Sequence, residues 1–178
     1  MNVAREIALN PNIVIYHADD VLTAQIVEAY RAGDGDAPAP IRGLIERGAV
    51  SVHMTRYRMR VRKPTDADML TFLQDVEPAV YEWSGQVAIG AAPDRMPKWR
   101  LFAAAFDATL ASEREAYASS DSAAANHVAE ALFGIVGVAG LVLTPESASV
   151  AKGVLFAWAD IAPRVEDALQ TATPTEAD

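Results

Sequence analysis

The densest candidate chemistry in this chain is a cationic run. Tyr57-Arg58-Met59-Arg60-Val61-Arg62 alternates strictly, so an extended strand would put three guanidinium groups on one face and Tyr57, Met59 and Val61 on the other. Arg56 and Lys63 flank the run. As function, this is a stripe for an acidic partner, a phosphate or RNA. As structure, it is the polar face of a half-buried strand whose charges deter edge-to-edge pairing, and this second reading is preferred. Arg56, Arg58, Arg60, Arg62 and Lys63 are the candidate partner-binding residues.

Other reactive side chains do not assemble into a site. His17 with Asp19 and Asp20 could offer oxygen and nitrogen ligands to a metal, but they follow a strand with no second ligand cluster and read as a solvated turn. His53 falls on an expected hairpin strand and His127 at a helix start, neither beside a nucleophile or carboxylate. Ser119, Ser120 and Ser122 with Asp121 have the character of a loop and helix N-cap, and no glycine-rich phosphate loop occurs. Trp83, Trp99 and Trp158 are expected in the core. No catalytic residue, cofactor-binding residue or metal ligand is assigned, and the chain is read as a non-enzyme.

The elements that must position the arginine run belong to a chain of 178 residues, 51% hydrophobic and 22% charged, a composition that folds. Its net charge of −9 argues against broad contact with nucleic-acid phosphate or acidic membranes. There is no cysteine, which removes disulfides, thiolate ligands and thiol nucleophiles and fits a reducing compartment. The N-terminus carries no visible signal peptide, and the apolar stretch from Ala131 to Leu143 is broken by Gly134, Gly137 and Gly140 and too short for a bilayer. A cytoplasmic protein is expected, with no membrane partner.

The chain repeats itself. Gly48 to Thr55, continuing to Val61-Arg62-Lys63, reads again as Gly137 to Thr144, continuing to Val150-Ala151-Lys152. Glu28-Ala29-Tyr30 returns as Glu115-Ala116-Tyr117, Leu44 as Leu132, and Asp75-Val76-Glu77-Pro78 as Asp160-Ile161-Ala162-Pro163. Landmarks in one order imply a tandem duplication. In each half an apolar strand (Ile13 to Tyr16; Trp99 to Phe106) precedes a second extended run (Ala24 to Arg31; Glu113 to Ser119). A short helix closed by Gly48 or Gly137 follows, opened in the first half by Pro40. Next come a hairpin (Val50 to Thr55 with Tyr57 to Arg62; Leu141 to Thr144 with Ser147 to Ala151) and an amphipathic helix (Ala67 to Trp83, capped by Asp66; Val154 to Leu169). Pro78 and Pro163 should bend those helices or delay their starts.

The expected fold is α+β: two similar two-layer modules, each a small antiparallel sheet covered by two helices, related by pseudo-two-fold symmetry. The modules are placed at residues 1–86 and 87–170, with a disordered tail at 171–178. Val87-Ala88-Ile89, in the connection, could add a strand.

These landmarks resemble the N-terminal domain of the Nfu/NifU-type iron–sulfur cluster proteins, once per half. Asn10-Pro11-Asn12 matches an early motif of that family, from which Asp94-Arg95-Met96-Pro97 departs. Ala131-Leu132-Phe133-Gly134-Ile135-Val136-Gly137-Val138, then Ser149-Val150-Ala151-Lys152, then Trp158 and Pro163, follow the family pattern closely, and the first half is more divergent. The resemblance implies a role near iron–sulfur cluster assembly. In the family the cluster is held by a Cys-x-x-Cys in a separate C-terminal domain, and this chain has no cysteine. The implied role is that of an accessory adaptor acting through protein contacts, with the assembly machinery as partner and no cofactor of its own; a binder of anionic ligands or nucleic acid through Arg58, Arg60 and Arg62 is the alternative.

Overall fold

In a computed structural model of the chain, residues 1–25, 27–93, 98–104 and 109–171 are described. Those residues fall into two units, 1–23 with 27–93 and 24–25 with 98–171. Among them are two sheets and five helices, an α+β architecture.

The first unit runs β1 (Val3–Ile7), β2 (Ile13–Ala18), β3 (Glu28–Arg31), α1 (Ala39–Glu46), β4 (Ser51–Thr55), β5 (Arg58–Arg62), α2 (Met69–Ser84) and β6 (Gly90–Ala91). Its sheet has the order β3-β4-β5-β2-β1-β6, antiparallel except where β6 joins β1 in parallel. The period-2 pattern puts Val14, Tyr16, Val52, Met54, Met59 and Val61 on one face, where Ile41 and Leu44 of α1 and Phe72, Val76 and Val80 of α2 bury against them. Burying each such side chain stabilises by about 1.5–3 kcal/mol. Arg58, Arg60 and Arg62 are left on the face opposite α1 and α2.

Several boundaries differ from the sequence reading. The strand β1 was not expected, because Val3-Ala4-Arg5-Glu6-Ile7 lacks clean alternation; it is set by pairing with β2 from Val3 opposite Ala18 to Ile7 opposite Val14. The second extended run shortens to Glu28–Arg31. The N-cap of α2 is Asp68, whose Oδ2 accepts the Thr71 N–H at 2.9 Å, and not Asp66. Pro64 to Ala67 form a turn that takes up those residues before the helix can begin. Despite Pro78, α2 is a single helix to Ser84, closed by Gly85 at φ 72°. The expected module boundary after residue 86 falls between 93 and 98, because Gly90–Ala91 hydrogen-bonds to β1 and keeps the connection in the first unit.

The second unit runs β7 (Trp99–Ala103), β8 (Glu115–Tyr117), α3 (Ser120–Ala123), α4 (His127–Phe133), β9 (Val138–Thr144), β10 (Ser147–Lys152) and α5 (Trp158–Thr171), with sheet order β7-β10-β9-β8. Its core joins Phe102, Tyr117, Leu141, Leu143 and Val150 to Leu132 and Phe133 of α4 and Ile161, Val165 and Leu169 of α5. α5 begins four residues after the expected Val154, and α4 ends at Phe133 with Gly134, so Gly137 (φ 101°) closes a following turn rather than the helix. Residues 105 and 106 of the expected first strand and residues 172–178 of the expected tail lie outside the described residues.

Four strands follow one order in each sheet, β3-β4-β5-β2 and β8-β9-β10-β7. Their registers agree as well. Thr55 faces Arg58 across the first hairpin and Thr144 faces Ser147 across the second. Glu28 and Tyr30 face Met54 and Val52, and Glu115 and Tyr117 face Leu143 and Leu141. In each unit the tyrosine hydroxyl donates to the glutamate two residues before it.

Candidate anion-binding face

The antiparallel ladders bring neighbours to the arginines that the linear sequence does not. Arg58 lies between Thr55 of β4 and His17 of β2, Arg60 between His53 and Ile15, and Arg62 between Ser51 and Ile13. Asn10, Ile13, Ser51, His53, Arg60 and Arg62 line a concavity of about 310 Å³. Arg60 and Arg62 are exposed, and among the described residues their side chains hold no hydrogen bond or ion pair. A guanidinium presents its donors in a planar fork matched to carboxylate or phosphate oxygens. Arg58 is partly buried; that burial, then the neighbouring Arg60 charge, lowers its pKa from the ordinary value, with Glu6 opposing.

The two flanking cations are not part of this surface. Lys63 is buried, and its Nζ donates to the carbonyls of Pro64 at 2.9 Å and Ala67 at 2.5 Å, tying down the turn before α2. Arg56 is buried in the β4–β5 turn with its guanidinium 5.6 Å from the Tyr57 ring centre, and its carbonyl accepts the Leu22 N–H. Both positions have structural work to do, and the candidate face reduces to Arg58, Arg60 and Arg62. Of the residues that complete it, Ser51 and His53 were signalled in the sequence only through the hairpin register that sets β4 against β5, and Asn10, just before β2, is brought in by the pairing of β2 with β5.

The remaining candidates disperse. His17 is buried with Nε2 2.7 Å from Glu6 Oε2, Asp19 accepts from the backbone and side chain of Asn2, and Asp20 caps Val21 N–H. Among the described residues no group of three His, Asp or Glu side chains is placed to hold a metal. Ser119 and Ser122 form a capping box at the start of α3. Trp83 and Trp158 pack against the two cores, but Trp99 is 53% exposed, against the sequence reading. It sits at an odd position of β7, on the side away from α4 and α5. No described helix is long and apolar enough to cross a membrane.

No family model matches this chain, and no curated protein matches it. A solved crystal structure, protein SAV1430 from Staphylococcus aureus, is similar in part: 22% identical, with a TM-score of 0.40, over 45% of this chain and 99% of that one.

Proposed function

We propose that this chain is a non-enzymatic binding protein, an adaptor whose Arg58, Arg60 and Arg62 take up an acidic surface on a partner protein. The observation that carries this is the uncommitted guanidinium pair of Arg60 and Arg62 in a concavity with His53, Ser51 and Asn10, on the sheet face opposite α1 and α2. In a chain of net charge −9, concentrated positive charge at one such face favours directed contact over general attraction. The common strand order and registers support descent of the two units from one duplicated module, in which one copy acquired the arginines. The resemblance to the Nfu/NifU N-terminal domain supports iron–sulfur cluster assembly as the process, with this chain an accessory that binds no cluster through thiolates.

Affinity capture from the native host tests this. The wild-type chain recovers an acidic partner, and R58S/R60S/R62S or about 1 M salt, where the screening length is about 3 Å, releases it. Equal recovery by the triple variant refutes the face; recovery of partners that include no cluster-assembly or iron–sulfur client protein refutes the process. The concavity also favours a second reading, a bound phosphate-type anion. Titration with polyphosphate and with a short RNA separates this from a protein partner, since a single-stranded RNA complex held by three arginines loses about two from the slope of log K against log salt in the triple variant.

A further inference from the structure

The two sheets end differently at corresponding strands. In the first unit β2 is flanked by β5 and by β1; in the second, β7 pairs with β10, and among the described residues no strand pairs on its other side. The backbone direction at this edge follows from the ladder. Lys98 O accepts from Lys152 N and Ala104 N donates to Glu146 O, so the alternation of antiparallel pairing aims the peptide groups of Lys98, Arg100, Phe102 and Ala104 at β10. Those of Trp99, Leu101 and Ala103 aim outward. The corresponding residues of β2, matched through their partners on β5 and β10, are Ile13, Ile15 and His17, and β1 lies opposite the last two as Glu6 and Ala4.

Beside the open edge lies a groove of about 310 Å³ lined by Arg100 to Ala104 of β7 and by Glu166, Leu169 and Gln170 of α5. Leu101 of its lining is 67% exposed, and Trp99, at the start of the strand, 53%. A hydrophobic strand left unpaired is a template for another strand.

We infer that the edge of β7 is a strand-addition site for an extended segment of a partner protein, bound antiparallel, with an aliphatic and a basic residue two apart turned toward α5. The first unit supplies the pattern for this occupant. There β1 turns Val3 into the core and Arg5 onto the helix, where its Nη1 pairs with Glu77 of α2. In the second unit Glu166 of α5 borders the groove at 4.0 Å from Arg100, both partly solvated and open to a further cation. Main-chain pairing provides affinity and the Glu166 carboxylate selects charge. This surface is separate from the arginine face and does not depend on it.

The probe is a synthetic peptide of residues 2–8, which carries β1, added to the full-length protein. Binding is expected, weakened about tenfold or more when the peptide carries Arg5→Glu, with the amides of Trp99, Leu101 and Ala103 gaining protection from hydrogen exchange. Leu101→Pro in the protein removes an outward N–H without touching the bonds to β10, a placement that edge strands tolerate, and should abolish binding. The exchange measurement on the wild type decides the matter if that variant does not fold. Binding that survives Leu101→Pro, protection appearing elsewhere, or a dimer in light scattering whose Leu101 amide is already protected would each overturn the assignment, the last by giving the edge to a second copy of the chain.

Discussion

Where β5 carries Arg58, Arg60 and Arg62, β10 carries Ser147, Ser149 and Ala151 at the places that the shared hairpin register sets. The side chains turned toward the helices differ far less: Val52 and Met54 stand where Leu141 and Leu143 do, all buried, and Tyr30 where Tyr117 does. Close packing holds the inner face to apolar groups of similar volume, since each lost methylene costs stability. The outer face is held less tightly: His17, Ile15 and Ser51 on it are buried, but Arg60 and Arg62 are exposed. Chemistry specific to one unit is therefore found on the sheet faces away from the helices and at the free strand edges, which is where the arginine concavity and the open β7 edge occur.

The sharpest way to break this comparison is through the inner faces. Leu44 of α1 and Leu132 of α4 are both buried against the helix-covered side of their sheets. Replacing either by Ala should cost about 2–5 kcal/mol, with the two values within that common range, measured by urea unfolding. A cost near zero for one of them would mean that the two cores are not built alike.

A middle-sized effect sharpens it at the glycines before β4 and β9. Gly48 and Gly137 share a φ near the left-handed region, 103° and 101°. A Cβ on Gly48 would meet nothing within 4 Å, whereas one on Gly137 would lie 2.7 Å from Ile161 Cδ1 and 3.0 Å from Phe156. Gly48→Ala should therefore cost only the backbone strain, about 1–2 kcal/mol. Gly137→Ala adds overpacking of about 1–3 kcal/mol. Equal losses in the two variants would show that the core around Ile161 yields without cost.

Much of this architecture was legible in the chain. The Glu-Ala-Tyr and Gly-to-Thr landmarks fell in register on equivalent strands because such strands alternate with a fixed period, and the two hairpins were bounded by tight turns that the sequence marks. β1 was not legible, since its five residues owe their form to pairing with β2 and not to their own pattern. Of the five candidate cations, alternation alone separated inward from outward positions within β5. It could not foresee that Arg56 and Lys63, at the turn and after the strand, would bury their charged ends on backbone carbonyls or against an aromatic ring. Trp99 was misread because a tryptophan on a strand is usually covered by a second layer, and here the covering layer is on the other side.

The smallest expected effect uses the tyrosine pair. Tyr117 has its pKa pushed from 10.0 up to about 12, by burial first and then by the hydroxyl's hydrogen bond to Glu115; Tyr30 is also raised, by its hydrogen bond to Glu28 first and burial second. A tyrosine whose folded pKa exceeds its unfolded one contributes stability that is complete below pH 10.0 and is lost as pH rises toward the folded value. Unfolding of the native chain should therefore become easier between pH 10.0 and about 12. Tyr117→Phe removes the ionisable group and the bond to Glu115, so at neutral pH it costs about 1 kcal/mol for the hydrogen bond, while the alkaline decline becomes shallower. Tyr30→Phe should flatten the decline less, because the more exposed phenol is held up mainly by its glutamate. Denaturant midpoints at pH 8, 10 and 11.5 for the three proteins make the comparison. If Tyr117→Phe leaves the alkaline slope unchanged, the phenol is not what the folded state protects, and the likeness of the two Glu-x-Tyr pairs is a likeness of backbone register alone.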